Sequence, residues 1–394
     1  MTESDLYPHL SSFDWYKRDG RSEVEAPVST GTYTTWFVGL GATWDLDLFG
    51  RIQSLVIQDR ALAQATYDMY CNAMLALHAR VAQEYFTLRQ YESELVLLNK
   101  TLQVRKEQSK FVQKRKRLNF ASGADLARAL LQESEAASEL RYVERMRCES
   151  LNRLAVLVGQ SPTTFKFECK PLSETLPTVP KAVPSMLLER RPDIAAAERT
   201  VFAANARIGS DTAAFFPTVS ITADAGFGAN KIQDLMTASS FSWGISPQVY
   251  IPIFQAGKLY AQRETDLAAY KETVENYRSA VLKAIEEVET ALSNIAHMRR
   301  EYAERVKTTQ FAIEVQNYTQ TEYELGNQDY FAVSDAQRQA LMHEREKIRL
   351  LGARFRECVS LVMALGGGWT HASQPDESEI SKGIYESINE RMQQ

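Results

Sequence analysis

The sequence repeats itself at a distance of 207 residues. Two long stretches run from Gly50 to Gly159 and from Gly257 to Gly366, and both differences (257 − 50 and 366 − 159) equal 207. Residues between these marks keep the same spacing, as Tyr70 does with Tyr277. A tandem unit of this size predicts two copies of one structural element, so fold and function must both be read from the unit.

Each unit contains a long stretch without proline or glycine, Arg51–Leu118 in the first and Lys258–Leu325 in the second. A continuous helix of about 67 residues is about 100 Å long at 1.5 Å per residue. Apolar residues recur there at steps of four and three, which is the narrow stripe of a coiled coil. In the second unit the stripe consists of Val281, Ile285, Val288, Leu292 and Ile295. No stretch approaches the roughly eighteen apolar residues of a bilayer-spanning helix.

Both long helices are expected to end at matching residues and turn back. Asn119 and Gly326 are equivalent, and both residue types readily adopt the left-handed conformation that ends a helix. Shorter helices are predicted over about 125–158 and 331–365. Pro192 and Asp193 begin a further helix, which we expect to stack end to end on the first of these two. The proline-rich stretch 160–184 predicts a linker.

Alternating residues predict β-strands ahead of each long helix. The apolar positions that define one face of these strands are Val219, Ile221, Phe227, Trp243, Trp36, Val38 and Leu40. Small or polar residues alternate with them, as Gly39, Gly41, Thr43 and Asp45 do in the first unit. Segments of about ten residues with this pattern are typical of transmembrane β-barrels. A half-buried sheet on a soluble core shows the same alternation.

A fourth strand over 6–16 fits this pattern poorly. Ser12 and Asp14 stand where apolar residues are expected. A β-bulge that shifts the register would explain the mismatch.

Composition excludes several classes of function. A net charge of −5 and a pI near 5.8 argue against nucleic-acid binding. The four cysteines, Cys71, Cys148, Cys169 and Cys358, lack metal or redox spacing and are interpreted as unpaired packing residues. No catalytic, phosphate-binding or metal-binding motif is present. We therefore predict no enzyme, no metal and no cofactor.

Several motifs in order carry a family resemblance that spans about residues 7–369. They are Trp44–Gly50, Leu188–Ile194, Ala204–Gly209, Phe215–Pro217, Pro252–Phe254, Asp335–Arg338 and Ala364–Gly368. The sequence resembles the outer-membrane factors of tripartite efflux systems, the TolC and OprM type, and within them the lipoprotein branch.

The resemblance implies a mainly α fold with transmembrane β: a TolC-like long α-helical barrel plus four strands per protomer of a trimeric β-barrel. The expected domains are a first repeat over 1–159, an equatorial linker over 160–184 and a second repeat over 185–369. The polar tail, 370–394, is expected to be disordered.

The implied function is passive export of small molecules through a trimeric pore of the outer membrane, with the helices in the periplasm. The implied partners are two further copies of the chain, a periplasmic adaptor protein, an inner-membrane pump and outer-membrane lipid. The alternative is a truncated or degenerate paralogue that does not transport and acts as a helical scaffold.

Site residues follow from the same resemblance. Asp335 is expected to form a cation-attracting periplasmic gate, with Phe331 as an apolar collar one turn earlier. The expected tip or adaptor contacts are Asn119, Phe120, Ala121, Ser122, Tyr323, Gly326 and Gln328. The apolar strand face named above is expected to contact lipid.

Family members normally begin with a secretory signal, a lipid-bearing cysteine in the lipoprotein branch and a first helix. Here Tyr7-Pro8 aligns with Phe216-Pro217, and neither a signal peptide nor an early cysteine is present. We therefore expect this chain to be N-terminally incomplete relative to the family.

Overall fold

The computed structural model describes residues 2–21, 31–168, 170–177, 190–367 and 369. In chain order the elements are β1 (His9–Arg21), β2 (Gly31–Leu46), α1 (Arg51–Arg117), α2 (Gly123–Leu157), α3 (Pro192–Ala213), β3 (Thr218–Ala229), β4 (Phe241–Tyr250), α4 (Lys258–Glu324) and α5 (Tyr330–Ala364). Short 3-10 turns lie at Thr2–Leu6, Ile232–Asp234 and Ala238–Ser240. In these ranges no helix is long and apolar enough to cross a membrane.

Some predicted features lie outside the described residues. They are the tail over 370–394, the linker residues 178–184, and Cys169, Leu188, Glu189 and Gly368 of the cysteine and motif sets.

The helix bounds repeat at the spacing of the sequence. The two long helices, α1 and α4, each have 67 residues, and the two return helices, α2 and α5, each have 35. Asn119 and Gly326 both have positive φ, 62° and 83°. The predicted left-handed residues after the long helices are thereby confirmed.

The chain divides into two compact units, unit 1 and unit 2, each of which combines residues of both sequence repeats. Unit 1 contains the residues up to Asp68 together with Asp193–Ala280, and unit 2 contains Met69–Pro192 and the residues from Val281 onward. Unit 1 therefore holds the four strands, and unit 2 holds both helix turns that follow the long helices.

The sheet of unit 1 is antiparallel, with strand order β1-β2-β3-β4. Pairing between β1 and β2 is uninterrupted from His9–Thr43 to Arg21–Gly31. The suggested β-bulge is therefore wrong. Ser12 and Asp14 lie opposite Leu40 and Val38 and share their face of the sheet, so β1 itself has the atypical pattern.

Two carboxyl groups meet between α3 and α4 within unit 1. Asp266 Oδ2 accepts hydrogen bonds from Arg207 Nε (3.3 Å) and Gln262 Nε2 (3.2 Å). Asp211 is 7% exposed, and its Oδ2 finds no donor among the described residues. Two carboxyl groups can share a hydrogen bond only when one carries a proton. Burial and the neighbouring Asp266 accordingly raise the pKa of Asp211 to about 6.

The core of unit 2 lies between the facing helices. One apolar cluster joins α4 to α5 through Val288, Ala291, Leu361 and Ala364, and Leu292 and Ile295 of the predicted coiled-coil stripe pack against it. A second cluster joins α1 to α2 through Leu98, Leu140 and Val143. The predicted stripe thus marks a buried helix face at Val288, Leu292 and Ile295, whereas Ile285 of the same stripe is 42% exposed.

Polar groups are also buried between these helices. Glu94 of α1 is 1% exposed. It accepts a hydrogen bond from Arg349 Nε of α5 at 3.3 Å and lies 3.6 Å from Arg345. At Gly352 a side chain would overlap Gln90, since an added Cβ would lie 2.4 Å from its Oε1. Burial of a carboxylate with two guanidinium partners favours one alignment of α1 against α5.

The described part of the linker is fastened to α1 by Arg89. Its Nη1 donates to the Glu92 carboxylate (2.8 Å) and to the carbonyl oxygens of Glu168 (2.7 Å) and Lys170 (3.1 Å). The guanidinium also lies over the rings of Tyr85 and Phe167, at 5.0 and 4.6 Å. Phe167, Glu168 and Lys170 are therefore held against α1 by hydrogen bonds and by ring contacts.

Residues just before α3 contact the end of α5. Arg191 Nη1 donates to the Ala364 carbonyl oxygen at 3.0 Å and to Glu287 at 2.8 Å. The sequence predicts that α3 stacks end to end on α2. The observed contact of Arg191 is with the end of α5, where it supplies a donor to a carbonyl group that the helix leaves unpaired.

The described cysteines differ in their surroundings. Cys71, Cys148 and Cys358 are all free thiols. Cys358 is buried as expected, whereas Cys148 is exposed. The interpretation as a packing residue is therefore wrong for Cys148, which lies on the exposed surface of α2.

Replacement of Asp211 by asparagine should flatten the dependence of stability on pH. The folded protein keeps a proton on Asp211 up to about pH 6, whereas an unfolded aspartate loses it near pH 4. Stability should therefore fall as pH rises through about 6, by at most ~1.4 kcal/mol per pH unit. Thermal unfolding of the detergent-solubilised protein from pH 4 to 7 measures this slope, which lies between the unfolded and the folded pKa. Asp211→Asn should remove it, while Glu275→Gln, an exposed change on α4, should leave it intact.

Arg89→Met should destabilise unit 2 and release the linker. The change removes one ion-pair partner of the buried Glu92 and keeps its pair with Arg147. Breaking a buried pair typically costs ~3–5 kcal/mol, and we expect the lower end. Denaturant unfolding and protease cleavage within 165–177 provide the readouts. The matched control Arg141→Met breaks an exposed pair with Glu144 and should cost under ~1 kcal/mol; equal losses for both variants would contradict the role of Arg89.

Candidate functional site

One face of the unit 1 sheet is apolar across three strands. Directly paired residues point to the same side of an antiparallel sheet, and the register pairs Val38 with Phe227 and Ala225 with both Leu40 and Trp243. All seven predicted lipid-facing residues therefore lie on this apolar face: Trp36, Val38, Leu40, Val219, Ile221, Phe227 and Trp243. Leu40 and Trp243 are 55% and 69% exposed.

The opposite face combines glycine, small polar residues and a cluster of three aromatic rings. Phe37 stacks on Phe13 with ring centroids 5.4 Å apart and on Trp15 at 5.7 Å. The rings are nearly parallel, with interplanar angles of 8° and 13°. We call Phe13, Trp15 and Phe37 the aromatic cluster. It explains why β1 alternates poorly, since its rings lie on the polar face and its polar residues on the apolar one.

The aromatic cluster lies directly on the backbone of glycine residues. A Cβ added at Gly39 or Gly226 would lie 2.6 Å from a ring atom of Phe37, and one at Gly41 would lie 2.6 Å from Phe13. Glycine is therefore required where the rings cover the strands. Sequence reasoning missed the cluster, although the alternation of Phe13 with Trp15 against Gly39 and Gly41 was a usable signal.

Two strands form the edges of this sheet. In the described residues β1 pairs only with β2, and β4 only with β3. Apolar side chains near the edges are strongly exposed, with Leu10 at 74%, Ile253 at 93% and Phe254 at 86%. Both edges combine unpaired backbone groups with exposed apolar side chains. These two features are typical of an edge strand that can pair with a further strand.

The second candidate region is the end of unit 2, where both long helices turn back. Tyr330 is 4% exposed and packs with Val112 and Ala129 in a small cluster. Burial raises the pKa of the Tyr330 phenol. Tyr323 packs edge-on against Tyr330 at 5.6 Å, and the Arg115 guanidinium lies 5.2 Å from the Tyr323 ring. The cluster joins residues of all four long and return helices.

The two turns present different groups to solvent. Ser122 begins α2 with a capping box, because its side chain accepts from the Asp125 N–H while the Asp125 side chain accepts from the Ser122 N–H. Its hydroxyl is therefore engaged in the turn. Phe120 is 71% exposed. The remaining predicted tip residues lie at the same turns: Asn119, Gly326 and Gln328 are exposed, and Ala121 and Tyr323 are half-buried.

Both predicted gate residues carry an arginine partner. Asp335 pairs with Arg338 one turn along α5. Phe331 is 57% exposed, and the Arg128 guanidinium of α2 lies 5.3 Å from its ring centre. Sequence reasoning did not single out Arg128 and Arg338, which contact the two residues predicted to form the gate.

A buried polar network ties α5 to its neighbours close to Asp335. Arg105 Nη1 of α1 donates to Gln132 Oε1 of α2 at 2.7 Å and to Gln337 Oε1 of α5. Gln132 Nε2 in turn donates to the Ser334 carbonyl oxygen at 3.0 Å. Desolvation lowers the pKa of Arg105. The position of α5 close to Asp335 therefore depends on hydrogen bonds from Arg105 of α1 and Gln132 of α2.

Within the described ranges, no group of three or more histidine, cysteine, aspartate or glutamate residues is placed to hold a metal ion.

The comparisons with known proteins agree with one another. A family model described as outer membrane efflux protein matches residues 1–160 and 183–367. The solvent efflux pump outer membrane protein SrpC of Pseudomonas putida is 33% identical over 347 residues, which are 84% of this chain and 71% of the relative. The probable efflux pump outer membrane protein TtgC of Pseudomonas putida is 30% identical over 403 residues, with 97% and 81% covered.

A solved structure shows the same fold. The open state of the Neisseria gonorrhoeae MtrE outer membrane channel superposes with a TM-score of 0.81 at 27% identity, with 95% of this chain and 84% of that chain covered. The chain belongs to the outer membrane efflux protein family. It has the TolC-like fold of that family, whose members are channel components of efflux pumps rather than enzymes. The scaffold alternative is not favoured.

Gly226→Ala should weaken the sheet, because the new Cβ would lie 2.6 Å from the Val38 carbonyl oxygen and 2.8 Å from Gly39 Cα. Backbone atoms cannot yield cheaply, so we expect a loss of about 1–3 kcal/mol. The temperature at which the folded sheet is lost, followed by the heat-dependent mobility shift on a gel, measures the effect. Gly20→Ala is the control, since its Cβ would meet no atom within 4 Å. An unchanged transition temperature for Gly226→Ala would show that the sheet and the Phe37 ring do not require glycine at position 226.

Proposed function

We propose that three copies of this chain form a passive export duct in the outer membrane. The observation that carries the proposal is the two-faced sheet with two unpaired edges. In this assembly the apolar face contacts lipid and the glycine-rich face lines a water-filled lumen. Membership of the efflux family and the names of the relatives support this assignment.

Closure of the sheet is a physical requirement of that location. Each unsatisfied backbone group costs several kcal/mol in hydrocarbon, so an open edge is not viable there. Four strands are fewer than the smallest barrels of outer-membrane proteins use, about eight. Three copies supply about twelve strands, which lies within the usual range.

We assign the remaining regions by the family resemblance. The two repeats, 1–159 and 185–369, each contribute a hairpin and a helix pair, and the linker belongs at the waist of the helical part. The helices extend the duct into the periplasm, and the exposed turns of unit 2 meet a periplasmic adaptor protein. An inner-membrane pump supplies the energy and selects small molecules, so the duct itself needs no cofactor.

At the periplasmic end, three Asp335 side chains form a ring that attracts cations, with Phe331 as the apolar collar. The pairing of Asp335 with Arg338 moderates this charge. Arg128 on the Phe331 ring links the collar to α2. The Arg105 network holds α5 in place at the same level.

Asp335→Asn should lower the preference of the pore for cations, because it removes three negative charges from the ring. Reversal potentials in planar bilayers under a salt gradient measure this preference. Glu144→Gln is the matched control, since Glu144 of α2 is also paired with an arginine three residues away, Arg141. A pore with unchanged selectivity would remove Asp335 from the gate, and absence of any conductance from well-folded protein would contradict the duct itself.

A further inference from the structure

The two β-hairpins of unit 1 share one register but differ on the glycine-rich face. The repeat offsets are 209 residues in β1 and 207 in β2, since the pair His9–Thr43 corresponds to Thr218–Tyr250. The residues of the second hairpin that correspond to the aromatic cluster are Thr222, Asp224 and Gly244. The same hairpin therefore forms without rings, so the fold of the hairpin does not require the aromatic cluster.

The rings of the aromatic cluster offer surface that a ligand can contact. Trp15 is 43% exposed, and Phe13 and Phe37 are half-buried. In unit 2 exposed rings are covered by cations of the chain, as Phe331 is by Arg128. Among the described residues, no arginine or lysine lies over a ring of the aromatic cluster. The electron-rich face of the Trp15 ring is therefore available to a cation from outside the chain.

The aromatic cluster is held in place before any ligand binds. Phe37 is stacked on both other rings, and its own ring covers Gly39 and Gly226. Side chains that are already ordered lose little conformational entropy when a ligand binds. A flat aromatic molecule can extend the stack, whereas an aliphatic molecule cannot stack on the rings.

One carboxylate lies beside the aromatic cluster. Asp224 pairs directly with Gly41, the residue that the Phe13 ring covers, and directly paired residues of a sheet have Cβ positions about 5 Å apart. The Asp224 side chain is exposed, and no described residue donates a hydrogen bond to its carboxylate. Lys17 on the same face is already paired with Asp19 at 2.9 Å. The uncompensated charge beside the rings is therefore negative.

We propose that the aromatic cluster and Asp224 form a binding site for planar aromatic cations in transit through the duct. The proposal rests on the duct proposed above, in which this face lines the lumen. The ring faces attract positive charge and stack with a flat ring system, and Asp224 supplies the opposite charge. An aliphatic cation lacks the stacking contribution, and a planar anion is repelled by Asp224.

The site is suited to transit rather than to retention. A conducting pathway requires binding that is favourable enough for entry and weak enough for release. A ring contact or an ion pair in contact with water contributes little by itself, so the combination gives a weak affinity. Three copies supply three such sites around one lumen, so a bound cation has further sites to which it can move.

Block of the ionic current by ethidium tests the site. Ethidium is a planar aromatic cation, and it is added to the wild-type pore in planar bilayers. Tetraethylammonium, an aliphatic cation, and pyrenesulfonate, a planar aromatic anion, are the comparison probes. We expect ethidium to reduce the current at concentrations at which the comparison probes have no effect. Equal block by tetraethylammonium would overturn the role of the rings, and equal block by pyrenesulfonate that of Asp224.

Substitutions in the site should weaken the block by ethidium. Trp15→Leu removes a ring and Asp224→Asn removes the charge, and each should raise the half-blocking concentration by about three- to tenfold. Trp243→Leu, on the opposite face of the sheet, is the control for the ring. Asp45→Asn is the control for the charge, since Asp45 lies on the same face but four residues from Gly41, about 13 Å away at 3.3 Å per residue. Both control pores should be blocked as the wild type is.

The outcomes separate the site from the duct. A conducting pore with unchanged block in Trp15→Leu and Asp224→Asn would overturn the site and leave the duct standing. Should Trp15→Leu not fold, Phe13→Thr takes its place, because the second hairpin carries Thr222 at the equivalent position. Absence of conductance from well-folded protein would contradict the duct, and ethidium fluorescence in detergent then decides the site. Weaker binding to Asp224→Asn than to the wild type would support it, and absence of binding to the wild type would overturn it.

Discussion

Backbone hydrogen bonding at the two outer strands governs the rest of the structure. The sheet of the described chain satisfies the groups between its four strands and leaves one row on β1 and one on β4. Water can satisfy such rows, but hydrocarbon cannot. In the proposed duct, location of the sheet in a bilayer therefore requires association between copies.

The helices of unit 2 meet a different demand. Helices of 67 residues with a narrow apolar stripe can slide by a turn at little cost. Buried polar contacts at several levels oppose such slippage, among them Glu92 with Arg147, Glu94 with Arg349, and Arg105 with Gln132. Each of these is satisfied at one alignment only. They contribute more to the choice of alignment than to the total stability.

Helix bounds and strand faces followed from the sequence because they depend on local rules. Freedom from proline and glycine, together with the left-handed residues Asn119 and Gly326, delimits the helices. Tertiary contacts were less accessible. The poor alternation of β1 suggests a bulge that the structure does not have. The Phe13 ring lies on the polar face because Gly41, a residue far away in sequence, leaves space for it. The partner of Arg191 was missed for a related reason, since the choice between two equivalent helix ends depends on packing.

The placement of the Phe13 and Phe37 rings over glycine residues has a consequence for the width of the proposed channel. Side chains that stand upright on a barrel wall narrow its bore by their own length. Ring atoms of Phe37 and Phe13 instead lie 2.6 Å from where a Cβ would be at Gly39, Gly41 and Gly226, so the rings fill space that side chains at these glycines would otherwise take. If this face lines the lumen, bulky aromatic residues are present there at almost no expense to conductance.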